Sequence, residues 1–239
     1  MNEMDTAARF APWIELTRFW SELEPQSQEA LIGDATAVEY ALGDPVDIQF
    51  GLMVSGTCGL EYSVDDGRRS LVELFRSGDL IDLARRERRP QGALVALGYC
   101  CVLTMGSDDF DLCARHHADI VRAYRHQMED QVGRLRDHVN DLALKSPLER
   151  IVSVLFELRR WPEASAGEAS ELVLPLLRKH IAAYAGMKPE TLRRAMRKLR
   201  DADLIRESRM DEDKIELIDL ATLRRIANGG RARDVKRMG

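Results

Sequence analysis

The sequence predicts an α+β chain: an N-terminal antiparallel β-roll of jelly-roll-like type, a long dimerisation helix, and a C-terminal winged helix-turn-helix. Three observations predict it. Short β-rich segments alternate with turn residues from Ala35 to Met105. A proline-free segment from Asp109 to Leu144 carries one apolar stripe. A glycine turn, a basic helix and a hairpin then follow near the C-terminus. With 239 residues and 45% apolar content, the chain is long enough to bury a real core, and two domains suit it better than one. The expected division is a β-roll with N-terminal helices over 1–108, the long helix over 109–145, the winged domain over 146–227 and a basic tail over 228–239.

Phe10 to Leu31 carries apolar residues at helical spacing, among them Ile14, Phe19, Trp20, Leu23 and Leu31, and Pro25 divides it into two short helices. The period then changes. Val38 to Tyr40, Phe50 to Val54, Cys58 to Val64 and Ser70 to Phe75 read as strands. Gly43-Asp44-Pro45, Ser55-Gly56, Asp65-Asp66-Gly67 and Ser77-Gly78-Asp79 punctuate them. Turns at this spacing predict a small antiparallel barrel or sandwich, closed by the apolar run Ala93 to Met105.

In the long helix, Val121, Tyr124, Met128, Val132, Leu135, Val139 and Leu142 are spaced 3, 4, 4, 3, 4 and 3, which traces one narrow stripe. Such a stripe either packs on its own domain or pairs with a two-fold copy. The copy is preferred, because the first turns alone suffice to rest on the barrel. Ser146-Pro147-Leu148-Glu149 starts the next helix, with Ser146 as cap, Pro147 in the first turn and Glu149 three residues after the cap. That helix ends by Trp161-Pro162, and a polar loop over 162–171 follows.

Leu172-Val173-Leu174 reads as a strand, and Arg178 to Ala185 as a helix ended by Gly186, where glycine reaches a left-handed turn without cost. Pro189 opens a second helix to about Asp201. It places Leu192, Ala195, Met196 and Leu199 on one face, with Lys188, Arg193, Arg194, Arg197, Lys198 and Arg200 elsewhere. Leu204 to Ser208 and Ile215 to Ile218 form a hairpin with a polar tip, hence a wing. A basic helix alone reads equally well as a solvated face; the ordered set of turn, helix and wing favours a DNA reader.

Charge divides along the same line. The net charge is −5, yet residues 172–239 hold 17 basic and 10 acidic side chains, net +7, which leaves −12 for the rest. A basic nucleic-acid module joined to an acidic sensor gives that asymmetry. No stretch approaches the roughly 18 to 20 uninterrupted apolar residues of a membrane span, and the N-terminus lacks a signal peptide's basic start and apolar run, so the expected location is the cytoplasm, away from any membrane. Cys58, Cys100, Cys101 and Cys113 have neither zinc spacing nor disulfide density and read as buried thiols. No nucleophile, base and orienter converge, so neither catalytic residues nor an enzyme is expected.

The segment Ile181-Ala182-x-x-Ala185-Gly186-Met187-x-Pro189-Glu190-Thr191-Leu192-x-Arg194, followed by Leu199 and Leu204-Ile205, resembles the recognition segment of the Crp/Fnr regulators. The layout before it agrees: Ser55-Gly56, Asp65-Asp66-Gly67, Gly78-Asp79, the long helix and Leu148-Glu149-Arg150. The resemblance implies a homodimer on an inverted repeat in promoter DNA, with RNA polymerase as a partner and a small-molecule effector of unknown identity. It also implies that Glu190 and Arg194 read bases, for which they are suited: Glu accepts from cytosine N4 and Arg grips guanine O6 and N7. Lys188 and Thr191 are expected at phosphates, and Pro189, Arg193, Arg197 and Lys198 complete the expected DNA-binding set. Pro189 stands where the catabolite-activator branch has a base-reading Arg, and Arg193 where many relatives have a small residue, so the half-site is expected to differ from theirs.

Relatives that bind cyclic AMP hold it with Gly-Glu-Leu and Arg-Ser; Asp82-Leu83-Ala84 and Gln91-Gly92 occupy those places, so no cyclic-nucleotide site is expected. Arg85, Arg86, Arg88 and Arg89 read as an exposed turn rather than an anion site. No cofactor or metal is expected. Two alternatives stay open: a redox-, haem- or metal-responsive regulator using Cys113 with His116 and His117, or Cys100-Cys101; and a protein-interaction adaptor whose winged domain meets protein.

Overall fold

The computed structural model describes residues 17–33, 35–63, 69–83, 92–161, 164, 171–208 and 213–230. Outside them lie the residues before 17, the Asp65-Asp66-Gly67 turn, the four arginines from Arg85 to Arg89, Gln91, most of the loop after Trp161, the wing tip over 209–212 and the basic tail. The chain forms two compact units, with the division inside the long helix after Leu135.

The first unit opens with α1 (Arg18–Ser21) and α2 (Pro25–Gly33). Pro25 is the first residue of α2, so the expected break is where the second helix starts. The strands are β1 (Thr36–Tyr40), β2 (Phe50–Ser55), β3 (Thr57–Ser63), β4 (Arg69–Arg76), β5 (Leu80–Asp82), β6 (Ala93–Ala96) and β7 (Cys100–Met105). They form two sheets, ordered β1-β7-β2-β5 and β4-β3-β6, and the paired strands with known register run antiparallel. The run Ala93 to Met105 is thus two strands in different sheets. The chain turns at Leu97-Gly98-Tyr99, where the Leu97 N–H donates to the Thr57 carbonyl. Gly56, at φ +75°, makes the β2–β3 turn against the Tyr99 carbonyl, leaving no room for a side chain.

Successive side chains of a strand point to opposite faces, and both faces of the β1-β7-β2-β5 sheet are covered. Phe50, Leu52, Cys101 and Leu103 pack with Phe19, Trp20, Leu31 and Phe110 from the helices. Met53, Cys100 and Val102 face Cys58, Leu60, Phe75 and Leu94 of the other sheet. Both cysteines of the vicinal pair are core, as expected of buried thiols: Cys100 and Cys101 are 0% and 1% exposed, one in each layer.

The helix expected over 109–144 is two helices, α3 (Ser107–His116) and α4 (Ala118–Leu144), separated at His117, whose backbone is extended (φ −130°, ψ 100°). Contacts to α2 fix the break. The Asp119 carboxylate accepts from Glu24 N–H at 2.8 Å and from Ser27 Oγ at 2.8 Å, and His117 Nδ1 meets the same hydroxyl at 3.1 Å. No helix among the described residues is long and apolar enough to cross a membrane.

The second unit contains α5 (Pro147–Leu158), β8 (Glu171–Val173), α6 (Arg178–Tyr184), α7 (Pro189–Asp201), β9 (Ile205–Glu207), β10 (Lys214–Leu217) and α8 (Leu220–Ala227). The capping box forms as expected: Ser146 N–H donates to Glu149 Oε2 at 2.7 Å and Glu149 N–H to Ser146 Oγ. The wing is three-stranded, ordered β8-β10-β9, and α8 was not expected. Ile151, Leu155, Leu172, Ile181, Leu199 and Ile215 are all at most 2% exposed at its core.

Candidate nucleic-acid interface

The turn between α6 and α7 is closed on both sides. Met187 N–H donates to the Ala182 carbonyl at 3.0 Å and Gly186 N–H to the Ala183 carbonyl at 3.2 Å, a Schellman ending with Gly186 at φ +62°. Arg150 of α5 reaches across, its Nη1 donating to the carbonyls of Ala185 at 2.9 Å and Gly186 at 3.3 Å. A β-carbon on Gly186 would stand 2.8 Å from Leu142 Cδ2 and 3.1 Å from Arg150 Nη1. Gly186→Ala is therefore expected to destabilise the protein by about 1 to 3 kcal/mol, the usual cost of a strained left-handed residue; urea unfolding measures it, and an unchanged midpoint contradicts the strain.

The burial pattern of α7 sets what it presents. Leu192, Ala195, Met196 and Leu199 are at most 5% exposed and hold it to the domain. Lys188, just before it, and Pro189, Glu190, Arg193, Arg194, Arg197 and Lys198 are exposed, and Thr191 is half-buried. At about 100° of rotation per residue, Glu190, Arg194 and Arg197 lie opposite the buried face; Arg193 is on one flank, Lys198 and Thr191 on the other. All eight expected DNA-binding residues are thus at or near one end or side of a single amphipathic helix. Arg194 Nη2 donates to Thr191 Oγ1 at a long 3.5 Å.

The basic side chains fall into two groups. Arg178 Nη1 and Arg200 Nη1 each stand 2.8 Å from one oxygen of Glu207, and Arg206 Nη1 stands 2.7 Å from Glu216 across the β9–β10 pair. Among the described residues, the side chains of Lys188, Arg193, Arg197 and Lys198 have no ion-pair or hydrogen-bond partner. The outer face of α7 therefore carries cations with no carboxylate to satisfy them, and a polyanion would.

Where α4 meets the helix-turn-helix, the rings of His138 and Tyr184 stack at 4.0 Å with planes 2° apart. Both are buried, the Tyr184 hydroxyl donates to Glu157 at 3.3 Å, and His138 Nε2 has no partner among the described residues. Burial pushes the His138 pKa below its ordinary value; Asp141 opposes this and Arg150 adds to it. A histidine neutral in the fold but protonated in the unfolded chain removes stability as pH falls below about 6.5. Unfolding at pH 7.5 and 5.5 is expected to show that loss, and His138→Phe to reduce it; an equal loss in the variant contradicts the assignment.

The α4 stripe is split. Tyr124 and Met128 pack partly on the first unit's core, whereas Val121, Val132, Val139 and Leu142 are 52%, 43%, 61% and 37% exposed, and Leu135 is intermediate. A different face of α4, not anticipated from the stripe, holds it to the β-roll. Ile120 and Ala123 are buried, Gln127 Nε2 donates to Asp79 Oδ1 at 3.0 Å, Gln131 Nε2 to the Leu80 carbonyl at 2.7 Å, and Arg134 Nη2 to Asp79 Oδ2 at 2.8 Å.

In the β-roll, Asp82 is buried and accepts from the Tyr124 hydroxyl at 2.7 Å. Cys58 and Cys100 are poor nucleophiles: burial raises Cys58 and pushes Cys100 up to about 11. Cys113 is buried, its Sγ 3.8 Å from the Ala30 carbonyl, while His116 is exposed and His117 is engaged with Ser27; no metal-holding group of histidines, cysteines and carboxylates occurs among the described residues.

Residues 149–226 match the Crp-like helix-turn-helix domain. The chain is similar to the nitrogen fixation regulation protein FixK of Bradyrhizobium diazoefficiens, at 25% identity over 156 residues; the match spans 65% of this chain and 65% of that relative's length. Its fold is similar to that of FixK2 from Bradyrhizobium japonicum, with a TM-score of 0.70 and 21% identity over 80% of this chain and 96% of that one. It also resembles TTHA1359, a CRP/FNR-family transcriptional regulator from Thermus thermophilus, with a TM-score of 0.64 and 19% identity over 81% and 98% of the two chains.

Proposed function

We propose that the chain is a Crp/Fnr-family transcription regulator that acts in the cytoplasm as a homodimer, reading an inverted repeat in promoter DNA without cyclic AMP. The observation that carries this reading is α7: four exposed cations without a carboxylate partner among the described residues, and Glu190 and Arg194 four residues apart, on a helix held by an apolar inner face and a braced turn. Glu190 and Arg194 read base edges in the major groove, and Lys188, Thr191 and the flanking cations Arg193, Arg197 and Lys198 meet phosphates. Val121, Val132, Val139 and Leu142, exposed along α4, supply the surface for a second copy; two-fold symmetry then spaces the two α7 helices about 34 Å apart, one turn of duplex.

Independence of cyclic AMP is supported by Asp82. Its carboxylate accepts from Tyr124 where cyclic-AMP binders present a Gly-Glu-Leu turn, and it repels a phosphate rather than pairing with it. Control runs through population shift: a signal in the β-roll, or assembly alone, biases the α4 pair toward the arrangement in which both readers match successive grooves, from which RNA polymerase is recruited or excluded. Sedimentation of the purified protein with and without a duplex tests the assembly. Two chains free and two per duplex are expected. A monomer on DNA removes the symmetric reading, and a dimer that ignores DNA turns the winged domain into a protein-binding module.

A further inference from the structure

Resting on the DNA-binding reading above, we propose that Glu207 damps sequence-independent attraction to DNA by holding Arg178 and Arg200 back from its phosphates. The side chain stands on β9, with one carboxylate oxygen 2.8 Å from Arg178 of α6 and the other 2.8 Å from Arg200 of α7. Three elements of the reading domain thus meet on one acidic group. Its side chain is 18% exposed, against 34% for Arg178 and 49% for Arg200, so the anion lies deeper than the cations it holds.

Two consequences follow from charge and geometry. Arg178 opens α6 and Arg200 lies in the last turn of α7, both on the basic domain, and each is long enough to follow a phosphate wherever one is offered. Attraction to any duplex grows with the number of phosphate-neutralising cations and is indifferent to sequence. With Glu207 in place, two cations and one anion contribute a net +1; the neutral amide of Gln would leave +2. The base-reading residues Glu190 and Arg194 take no part in this pairing. Glu207 therefore lowers the sequence-independent share of binding to any duplex, whether or not it carries the preferred site. It also ties the C-terminal turn of α7 to α6 and the wing, which keeps the reading helix in one register. Partly exposed ion pairs add little to stability, so the effect lies in charge placement rather than in folding.

The test compares the full chain, wild type and Glu207→Gln, by fluorescence anisotropy on a random-sequence duplex and on the selected-site duplex, at several salt concentrations. Glu207→Gln is expected to bind the random duplex about threefold to tenfold more tightly. Its slope of log affinity against log salt is expected to steepen by up to about 1.8, or about 0.9 per released cation. Affinity for the selected-site duplex rises by a similar factor, because the attraction does not depend on sequence. In an Arg178→Gln/Arg200→Gln background, adding Glu207→Gln leaves the slope where it was, and Glu207→Asp restores wild-type behaviour. An unchanged slope in the single variant overturns the proposal, as does an equal loss of affinity for both duplexes at constant slope, which marks a purely structural role. Failure of the wild type to bind either duplex refutes the DNA-binding reading itself.

Discussion

Arg194→Ala is expected to weaken binding to the preferred duplex by at least about 30-fold and to relax the base preference at one position in each half-site. A bidentate arginine–guanine contact discriminates by about 1 to 3 kcal/mol, and the two-fold axis of the proposed dimer counts the loss twice. The side chain is exposed and its bond to Thr191 is long, so truncation leaves the domain folded while removing the contact. Glu190→Ala behaves alike at a neighbouring pair, and because it deletes a negative charge, its affinity for random duplex stays level or rises. Lys198→Ala provides the contrast: uniform weakening across sequences and a salt slope shallower by about 1. Competition titrations against duplexes altered at single positions measure these effects. An Arg194→Ala protein that keeps the wild-type preference at every position contradicts the assignment of Arg194 as a reader.

Val139→Arg is expected to convert the proposed dimer to monomer, with dissociation raised about 100-fold or more. Val139 is 61% exposed in the single chain, so an arginine there is solvated in the monomer and costs the fold nothing. In a symmetric pair the same position brings two guanidinium groups into an apolar seam, and each buried unpaired charge costs several kcal/mol. Sedimentation equilibrium measures the shift, and binding to the inverted repeat falls with it while binding to a single half-site persists. Val132, 43% exposed on the same stripe, gives an independent second variant. A Val139→Arg protein that remains dimeric places the pairing surface elsewhere.

The parts of this architecture carried by local chemistry are legible in the sequence alone. Ser146 and Glu149 cap α5, Gly186 supplies the left-handed turn, Pro189 opens α7, and the 3-4 spacing of Leu192, Ala195, Met196 and Leu199 fixes its buried side. What stays hidden depends on distant partners. Proline-free sequence around His117 has no local reason to stop a helix; the break comes from Asp119 and Ser27, some ninety residues apart, engaging each other. Cys100 and Cys101 are both core because a second sheet and a helical layer cover both sides of β7, which alternation in one strand does not reveal. Glu207 is one more acidic residue in a polar hairpin until α6, α7 and β9 bring two arginines to it. The His138–Tyr184 stack likewise joins residues that nothing in sequence relates. The α4 stripe is legible as a row, but the helix has a second working face: Gln127, Gln131 and Arg134 clasp the β4–β5 region through Asp79 and the Leu80 carbonyl. Burial raises the Asp79 pKa against the pull of Arg134 and Arg76, so the charged carboxylate is held there at a desolvation cost that its partners only partly offset.

The most direct test of α7 as a sequence reader is selection of bound sequences from random duplex DNA by the purified, ligand-free protein at near-physiological salt, repeated with Glu190→Ala and Arg194→Ala. The expected result is an enriched inverted repeat with half-site centres about one helical turn apart, whose G and C positions degenerate in the two variants while the spacing is kept. Enrichment of the same sequence by wild type and both variants, or no enrichment over the starting pool, would contradict it.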